Sequence, residues 1–404
     1  MYCSTKPHIT PLFFLRFFLL LLLTLTLFSC SRDKRANWTI LVYMAADNNL
    51  SPQAVDDIIQ MERARIPSSV NVIVQLDPYQ YSSDPQARRY KITHNTAPFV
   101  ASPVIEFLGD IDSGDYRSLA DFVNWGVSKY PANRYALVIW SHGTGWTRED
   151  DSSRYICPDN SSLSNISIAG GEFKSAFQLF PRKMDILAID ACHMQTIEVI
   201  TEVYQFNDYI VASENTVPVE GFPYKEILEL WNHYTSPQNL AINMAIKYNN
   251  SYLPGGSQNP EGATRRITCS VAKTSQLPHF LNLLEQFVIN WEYTANSQEV
   301  IDARETVYAF NFPQSDIDLK EFFVTLYELT DNTLLQEDIH DIIIALDNLF
   351  IVQESQNLPL NTGTATIWFP VYIEYLQGSA SLYSNLDFAQ TGWLNYVESY
   401  FAAE

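Results

Sequence analysis

Short uncharged runs of strand length alternate with amphipathic stretches of helical period through the first half of this chain, and that alternation limits its fold more than any other feature. Residues 38–44 read WTILVYM, 135–140 read YALVIW, and 70–76, 185–190 and 209–213 are similarly apolar. A strand that is apolar on both faces must be covered on both, as in a parallel sheet between helical layers. Between these runs, Ser51 and Pro52 supply an N-cap and a first-turn proline, and Val55, Ile58, Ile59 and Met61 give the helix its apolar side. Residues 116–129 form a second amphipathic stretch, stopped by Pro131, and 171–180 and 195–204 read as further helices. Elements in this order build parallel βαβ units with right-handed crossovers. The segments 89–93 and 104–108 read as a hairpin beside the main sheet.

Past about residue 222 the texture changes. Helical segments dominate, at 224–233, 237–248, 275–291, 318–330 and 337–350, with strand-like pieces at 266–272 and 364–370. The expected organisation is a leader over 1–29, a polar tether over 30–36, an α/β core over 37–235, and a mixed, mostly helical part over 236–404. The late strands can return to the core sheet, and no internal repeat or low-complexity tract interrupts the body.

Of the 404 residues, 47% are hydrophobic and 18% charged, which suits a sizeable core and excludes global disorder. The net charge of −21 argues against nucleic acid as a partner, because phosphate binding needs clustered Lys and Arg. The same field draws cationic substrates, and it equally serves solubility outside the cytoplasm. Lys6 and Arg16 precede an uncharged run over 17–28, the pattern of an export signal and too short to span a membrane unless it reaches back past Arg16. It ends in LFSC, residues 27–30, which resembles a bacterial lipobox with Phe28 where a smaller residue is usual. The expectation is cleavage before Cys30 and lipid attachment to Cys30, anchoring the chain at the cell envelope. Ser31 in place of Asp leans toward the outer membrane or cell surface. An ordinary signal peptide or an uncleaved anchor would export the body as well.

Beyond Cys3 and Cys30 the body holds Cys157, Cys192 and Cys269, an odd set without CxxC or Cys/His metal spacing. No disulfide framework and no metal site is expected, and at least one thiol stays unpaired. Cys157 and Cys269 read as core or loop residues rather than a bridge.

Ligands of open parallel sheets bind at the carboxyl ends of the strands. One such end runs into SHGTGW, residues 141–146, which sets His142 just past a buried strand with Gly143 and Gly145 beside it. Another runs into DACHM, residues 190–194, which sets Cys192 ahead of a helix, where exposed N–H groups would lower a thiol's pKa. Taken singly, each is more often a core thiol or a structural histidine. As a pair 50 residues apart, on strand ends that parallel topology brings together, they make a candidate nucleophile and proton carrier. Adjacent residues point in different directions, so His193 does not stand in for His142.

At these residues the chain resembles a family. YMAADNNL (43–50), WSHGTGW (140–146), DACHMQTIEV (190–199) and YIVASENTVPVEGFPY (209–224) look like successive blocks of the clostripain peptidases. Those belong to the caspase-like clan, with gingipain and legumain relatives. IDLKEFF (317–323), TATIWFP (364–370) and TGWLNYVESY (391–400) are similar to its later segments, so the resemblance spans nearly the whole body. It implies a caspase-like α/β/α sandwich with a mainly parallel sheet and a mostly helical C-terminal part. It also implies a cysteine endopeptidase acting through an acyl-enzyme, with His142 as the catalytic His and Cys192 as the nucleophile. The amides of Gly143 and Cys192 would hold the oxyanion. Family members prefer Arg or Lys before the cut, and Asp190 and Glu220 match the acids that receive it. Glu220 is longer than the usual Asp, and Phe222 replaces the usual Trp. Asp190 also fits a helix N-cap, and Glu220 a solvated loop acid.

No cofactor is expected to enter the chemistry, and a calcium requirement stays open. The expected partners are a peptide or protein substrate and, through the lipid on Cys30, a membrane; the chain is expected to act as a monomer. A catalytically inactive binding lipoprotein on the same fold is the competing reading, and the absence of a GxSxG elbow counts against a serine hydrolase. Some relatives are activated by self-cleavage after the His loop, where Arg148 and Arg154 are candidate sites. The expected outcome on a denaturing gel is two fragments for wild type and one intact band for Cys192→Ala; an active, uncut wild-type chain rules this out.

Overall fold

A computed structural model of the chain describes residues 1–2, 35–80, 82, 84–146, 155–234, 236–310, 315–359 and 362–402. Cys30 and the candidate cleavage sites Arg148 and Arg154 lie outside the described residues. The chain divides into two units, Met1–Arg35 and Ala36–Glu404, and the second carries the fold.

Its centre is β1 (Ala36–Ala46), buried from Trp38 onward. Parallel partners flank it: β2 (Val70–Pro78) on one side, and β5 (Ala132–Trp140), β8 (Met184–Asp190) and β9 (Asn207–Ala212) in succession on the other. Two antiparallel strands close each edge. Beyond β2 lie β3 (Ala87–Lys91) and β4 (Val104–Gly109), the hairpin read from the sequence. Beyond β9 lie β10 (Ile267–Lys273) and β12 (Phe350–Gln356), so the nine-stranded sheet runs on through the part after residue 235.

Side chains alternate across the sheet, as the period of a strand requires. Ile40, Val42, Met44, Ala136, Val138, Ile186 and Ala188 face a core closed by α1 (Ser51–Arg63), α5 (Tyr224–Glu229) and α6 (Pro237–Ser251). Leu41, Tyr43, Ala45, Leu137, Ile139, Leu187 and Ile189 face the opposite core. That layer contains α2 (Tyr116–Lys129), α3 (Glu172–Gln178) and α4 (Ile197–Val203). Later helices join it: α7 (Leu277–Trp291), α8 (Gln298–Thr306), α9 (Leu319–Leu329), α10 (Thr333–Leu349), α11 (Ile373–Tyr383) and α12 (Trp393–Phe401). The result is an α/β/α sandwich. Among the described residues no helix is long and apolar enough to cross a membrane.

Two small pairs lie outside the main sheet. The hairpin β6 (Tyr155–Asp159) and β7 (Ser164–Ser167) follows the His loop and pairs Ile156 with Ile166. The polar composition of 147–170 reads as loop, and β6 is short, kinked by Cys157 at φ 60 and followed there by Pro158. The pair β11 (Asp316–Asp318) and β13 (Thr366–Trp368) brings the last third of the chain under the Cys loop. Thr366 N–H donates to Gln195 O at 3.0 Å, and Gln195 Nε2 donates to Ser270 Oγ at 2.6 Å. Trp146, the last residue of the glycine-rich His loop, is fully buried edge-on against Trp368 and Tyr383, with centroids 5.1 and 4.7 Å away. Trp146→Ala should cost about 3–5 kcal/mol in urea unfolding, as deletion of a fully packed aromatic does; a loss below about 1 kcal/mol would show that this cluster does not anchor the loop.

Candidate active site

Parallel pairing sets the site. Trp140 of β5 stands beside Asp190 of β8, and Ser141 N–H continues the ladder to Asp190 O at 3.3 Å. His142 and Cys192 therefore each lie two residues past a paired position, on neighbouring loops at the carboxyl edge of the sheet. Both are partly exposed, in surroundings that are otherwise buried. The loops touch: a Cβ on Gly143 would meet Cys192 O at 2.8 Å, and one on Gly145, at φ +65, would meet His193 O at 2.7 Å. Glycine at both positions lets the loops approach that closely.

His142 Nε2 lies 2.8 Å from Asn49 Oδ1, in the loop that follows β1. Asn48 Nδ2 fixes that loop by donating to Ala45 O and Pro158 O, both at 3.1 Å. Asn49 stands within AADNN directly after β1, and no local pattern in the sequence marks it as a partner of His142. Beyond the His, an isolated bridge between Gly143 and Ile156 uses the His142 carbonyl, from Cys157 N–H at 3.2 Å, and the Thr144 N–H, to Tyr155 O at 3.1 Å. It does not use the Gly143 amide.

Cys192 Sγ accepts from Val217 N–H at 3.3 Å. The expected effect of a helix N-terminus is absent: α4 begins at Ile197 with Thr196 as its cap, so Cys192 stands ahead of the first turn. Burial dominates instead and raises the Cys192 pKa, opposed by the Val217 N–H and reinforced by Asp190. This corrects the lowered value read from the sequence. His193, at φ 57, is engaged elsewhere: Nδ1 lies 3.1 Å from Glu214 O and Nε2 lies 3.1 Å from Thr216 Oγ1. Cys157 and Cys269 are unpaired and belong to opposite cores.

Of the two expected pocket acids, Asp190 is 4% exposed. Its Oδ2 accepts from Phe222 N–H at 3.0 Å and Tyr224 O–H at 2.8 Å, and burial pushes its pKa up to about 6. Gly221 crosses over it at φ +61, where a Cβ would lie 2.9 Å from that same oxygen. Asp190 is thus not a helix N-cap; it ties down the turn that follows Glu220. The carboxylate of Glu220 pairs with Arg265, Nη2 to Oε1 at 3.2 Å.

Among the described residues one group of acids has the spacing of a metal site: Asp47, Asp77 and Asp159 place carboxylate oxygens within 4.8 Å of one another. Much of its hydrogen bonding is internal, with Gln80 N–H on Asp47 and Ser113 and Ser162 N–H on Asp159. Burial, with Asp159 and Asp47 nearby, pushes the pKa of Asp77 up to about 8, so at neutral pH a proton relieves the repulsion there.

An α/β/α sandwich with a thiol and an imidazole on adjacent strand-end loops is the architecture of the caspase-like clan. Within it, this chain belongs to the clostripain family, whose sequence model matches residues 42–369. Clostripain of Hathewaya histolytica is 31% identical over 226 residues, covering 49% of this chain and 43% of that protein. The chain therefore spans less than half the length of this relative. An inactive zymogen C11 protease from Parabacteroides distasonis superposes with a TM-score of 0.67 at 19% identity, covering 88% of this chain and 98% of its own. A secreted C11 cysteine protease from Bacteroides thetaiotaomicron, solved with an irreversible peptide inhibitor, gives 0.63 at 20% identity and covers 87% and 99%. Both share the fold.

Two pH effects follow. Asp77 and Glu198, each held at about 8, keep protons that an unfolded carboxyl near 4 releases. The folded state binds more protons between those values, so stability falls as pH rises through that window. Thermal midpoints should be lower at about pH 8.5 than at about pH 5.5, and Asp77→Asn should flatten the slope; an unchanged slope would show that Asp77 is ionised in the fold. Alkylation of Cys192 by iodoacetamide should still be accelerating past the ordinary thiol value of about 8.5, and a plateau below neutrality would contradict the burial effect.

Proposed function

We propose that this chain is an exported cysteine endopeptidase that cuts peptide bonds after Arg or Lys, with Cys192 as nucleophile and His142 as proton carrier. One observation carries the reading: His142 and Cys192 each lie two residues beyond the register pair Trp140 and Asp190, on loops that approach to van der Waals distance. Membership of the clostripain family and the peptide inhibitor bound by the Bacteroides thetaiotaomicron protease support it.

In this reading the Cys192 thiol is neutral at rest and gives up its proton as the thiolate attacks the scissile carbonyl. With the Nε2 proton donated to the Asn49 side-chain oxygen, Nδ1 is the nitrogen that carries the transferred proton. The amides of Gly143 and Cys192 receive the negative charge on the carbonyl oxygen, an interaction worth about 3 kcal/mol per donor elsewhere. The tetrahedral species collapses to a thioester as the protonated His142 gives its proton to the leaving amine. Water then attacks the thioester, its proton passes through His142, and the acid product leaves with Cys192 restored as a thiol. Asn49 is a positioning residue that fixes ring tautomer and orientation. Glu220, over the floor formed by Asp190, receives the basic side chain before the cut. No cofactor takes part in these steps. Cys30 carries the lipid that holds the exported, monomeric chain at the cell envelope, and self-cleavage after Arg148 or Arg154 belongs to the same activity.

The mature protein, assayed with Arg- and Lys-amide reporters under reducing conditions, should turn over both and lose activity with Cys192→Ala or His142→Ala. Absence of turnover together with no labelling by a basic acyloxymethyl ketone would favour an inactive binding protein instead. Asn49→Ala should lower kcat by roughly 10- to 100-fold with KM little changed and shift the acidic limb of the pH profile; an unmoved limb would deny Asn49 its positioning role.

A further inference from the structure

Arg265 pairs with Glu220, the acid proposed above to receive the substrate's basic side chain. Its guanidinium meets the Glu220 carboxylate through one contact, Nη2 to Oε1 at 3.2 Å, and the two side chains are 38% and 35% exposed. The pairing is incomplete on both sides. Glu220 Oε2 and Arg265 Nε are each shielded from solvent and have no hydrogen-bond partner among the described residues. A guanidinium set squarely on a carboxylate would satisfy both oxygens with two parallel N–H donors. Here one acceptor and one donor are left over.

The backbones that present this pair are held firmly. Tyr252 O–H donates to Gly221 O at 2.7 Å, and Gln258 Nε2 donates to Phe222 O at 3.1 Å. On the other side Asn357 Nδ2 donates to Arg265 O at 2.6 Å, and Asn215 Nδ2 donates to Arg266 O at 3.1 Å. Fixed main chains with partly exposed, single-contact side-chain tips describe an exchangeable ion pair, weak because water and salt screen it. Asp190 lies deeper, buried under Gly221, where its Oδ2 accepts from Phe222 N–H and Tyr224 O–H.

We propose that Arg265 is a specificity-determining residue, an internal guanidinium that occupies Glu220 and that a substrate's basic side chain must displace. This rests on the reading of Glu220 as the pocket acid. A substrate arginine can take Oε1 and also reach the vacant Oε2, so exchange trades an incomplete pair for a complete one. A neutral side chain gains nothing from the exchange and leaves Arg265 in place. Arg265 thus raises KM for basic substrates without touching the chemical step, and it keeps the pocket charge-balanced when empty.

The test is steady-state kinetics on wild type, Arg265→Ala and Arg265→Gln, with peptide amides that differ in one side chain: Arg, Lys or norleucine. Arg265→Ala should lower KM for the Arg and Lys substrates by about two- to fivefold, the range expected for a partly exposed ion pair, with kcat and the norleucine constants unchanged. Arg265→Gln, which keeps a hydrogen-bond donor near Glu220 and preserves most of the packing, should give a smaller fall, and it decides the matter if Arg265→Ala melts below wild type. A merely structural role for Arg265 would move kcat and the norleucine substrate along with the others, and that outcome overturns the proposal. So does an unchanged or higher KM for the basic substrates in an enzyme that still prefers them. A wild-type chain that turns over neither basic substrate overturns the pocket reading and this proposal together, visible before any variant is made.

Discussion

The parallel pairing of β5 with β8 is the interaction on which the site depends. Two strands that run side by side and end together deliver the loops that follow them to one place, whatever those loops contain. Their register, Trp140 beside Asp190, fixes the spacing of His142 and Cys192 through the backbone. Burial on both faces holds the pair rigid, because Leu137, Ile139, Leu187 and Ile189 pack into one core while Ala136, Val138, Ile186 and Ala188 pack into the other. A shift of one residue would exchange these sets and expose neither loop correctly.

The late part of the chain supports these loops from beneath. Glu198, in the first turn of α4, accepts from Trp368 N–H at 2.9 Å and Tyr383 O–H at 3.2 Å, which joins the helix after Cys192 to β13 and α11. Asp318 accepts from Gly363 and Thr364 N–H and faces Glu214 in the loop beside Cys192. Burial first, and then the Asp318 charge, raises the Glu214 pKa. The loop that contributes the Val217 N–H is fastened to β10, where Thr268 Oγ1 accepts from Glu214 N–H at 3.1 Å. The His142 and Cys192 loops and the C-terminal helices form one unit, continuous through the sheet.

The strands are legible in the sequence where burial is two-sided. WTILVYM and YALVIW leave little choice, and each lies within a strand of the sheet. The edges are less legible. The strand β12 (FIVQESQ) is mostly half-buried and follows a helix without a break at Leu349, so its alternation is faint and a helix reading runs into it. The hairpin β6–β7 lies in polar sequence and depends on pairing with the His loop, a tertiary fact no local pattern holds. At the site, strand ends and glycines made His142 and Cys192 visible. Asn49 and Arg265 were not, because an Asn in a loop and an Arg 45 positions from its acid become informative only once folding brings them to their partners. The thiol's acidity was misjudged for a related reason: the helix start could be read only to within a turn, and a dipole's influence does not reach further.

The two silent thiols have a practical meaning. Cys157 and Cys269 are buried in separate layers with the whole sheet between them, and burial raises the pKa of each well above the reactive range. They can neither bridge one another in an oxidising compartment nor compete for an electrophile while the fold is intact. Of the three described cysteines, then, one is chemically addressable. A mild alkylating reagent consequently distinguishes folded from opened molecules among these three: uptake at Cys192 alone reports an intact sheet, and uptake at Cys157 or Cys269 reports the fraction of chains whose layers have come apart.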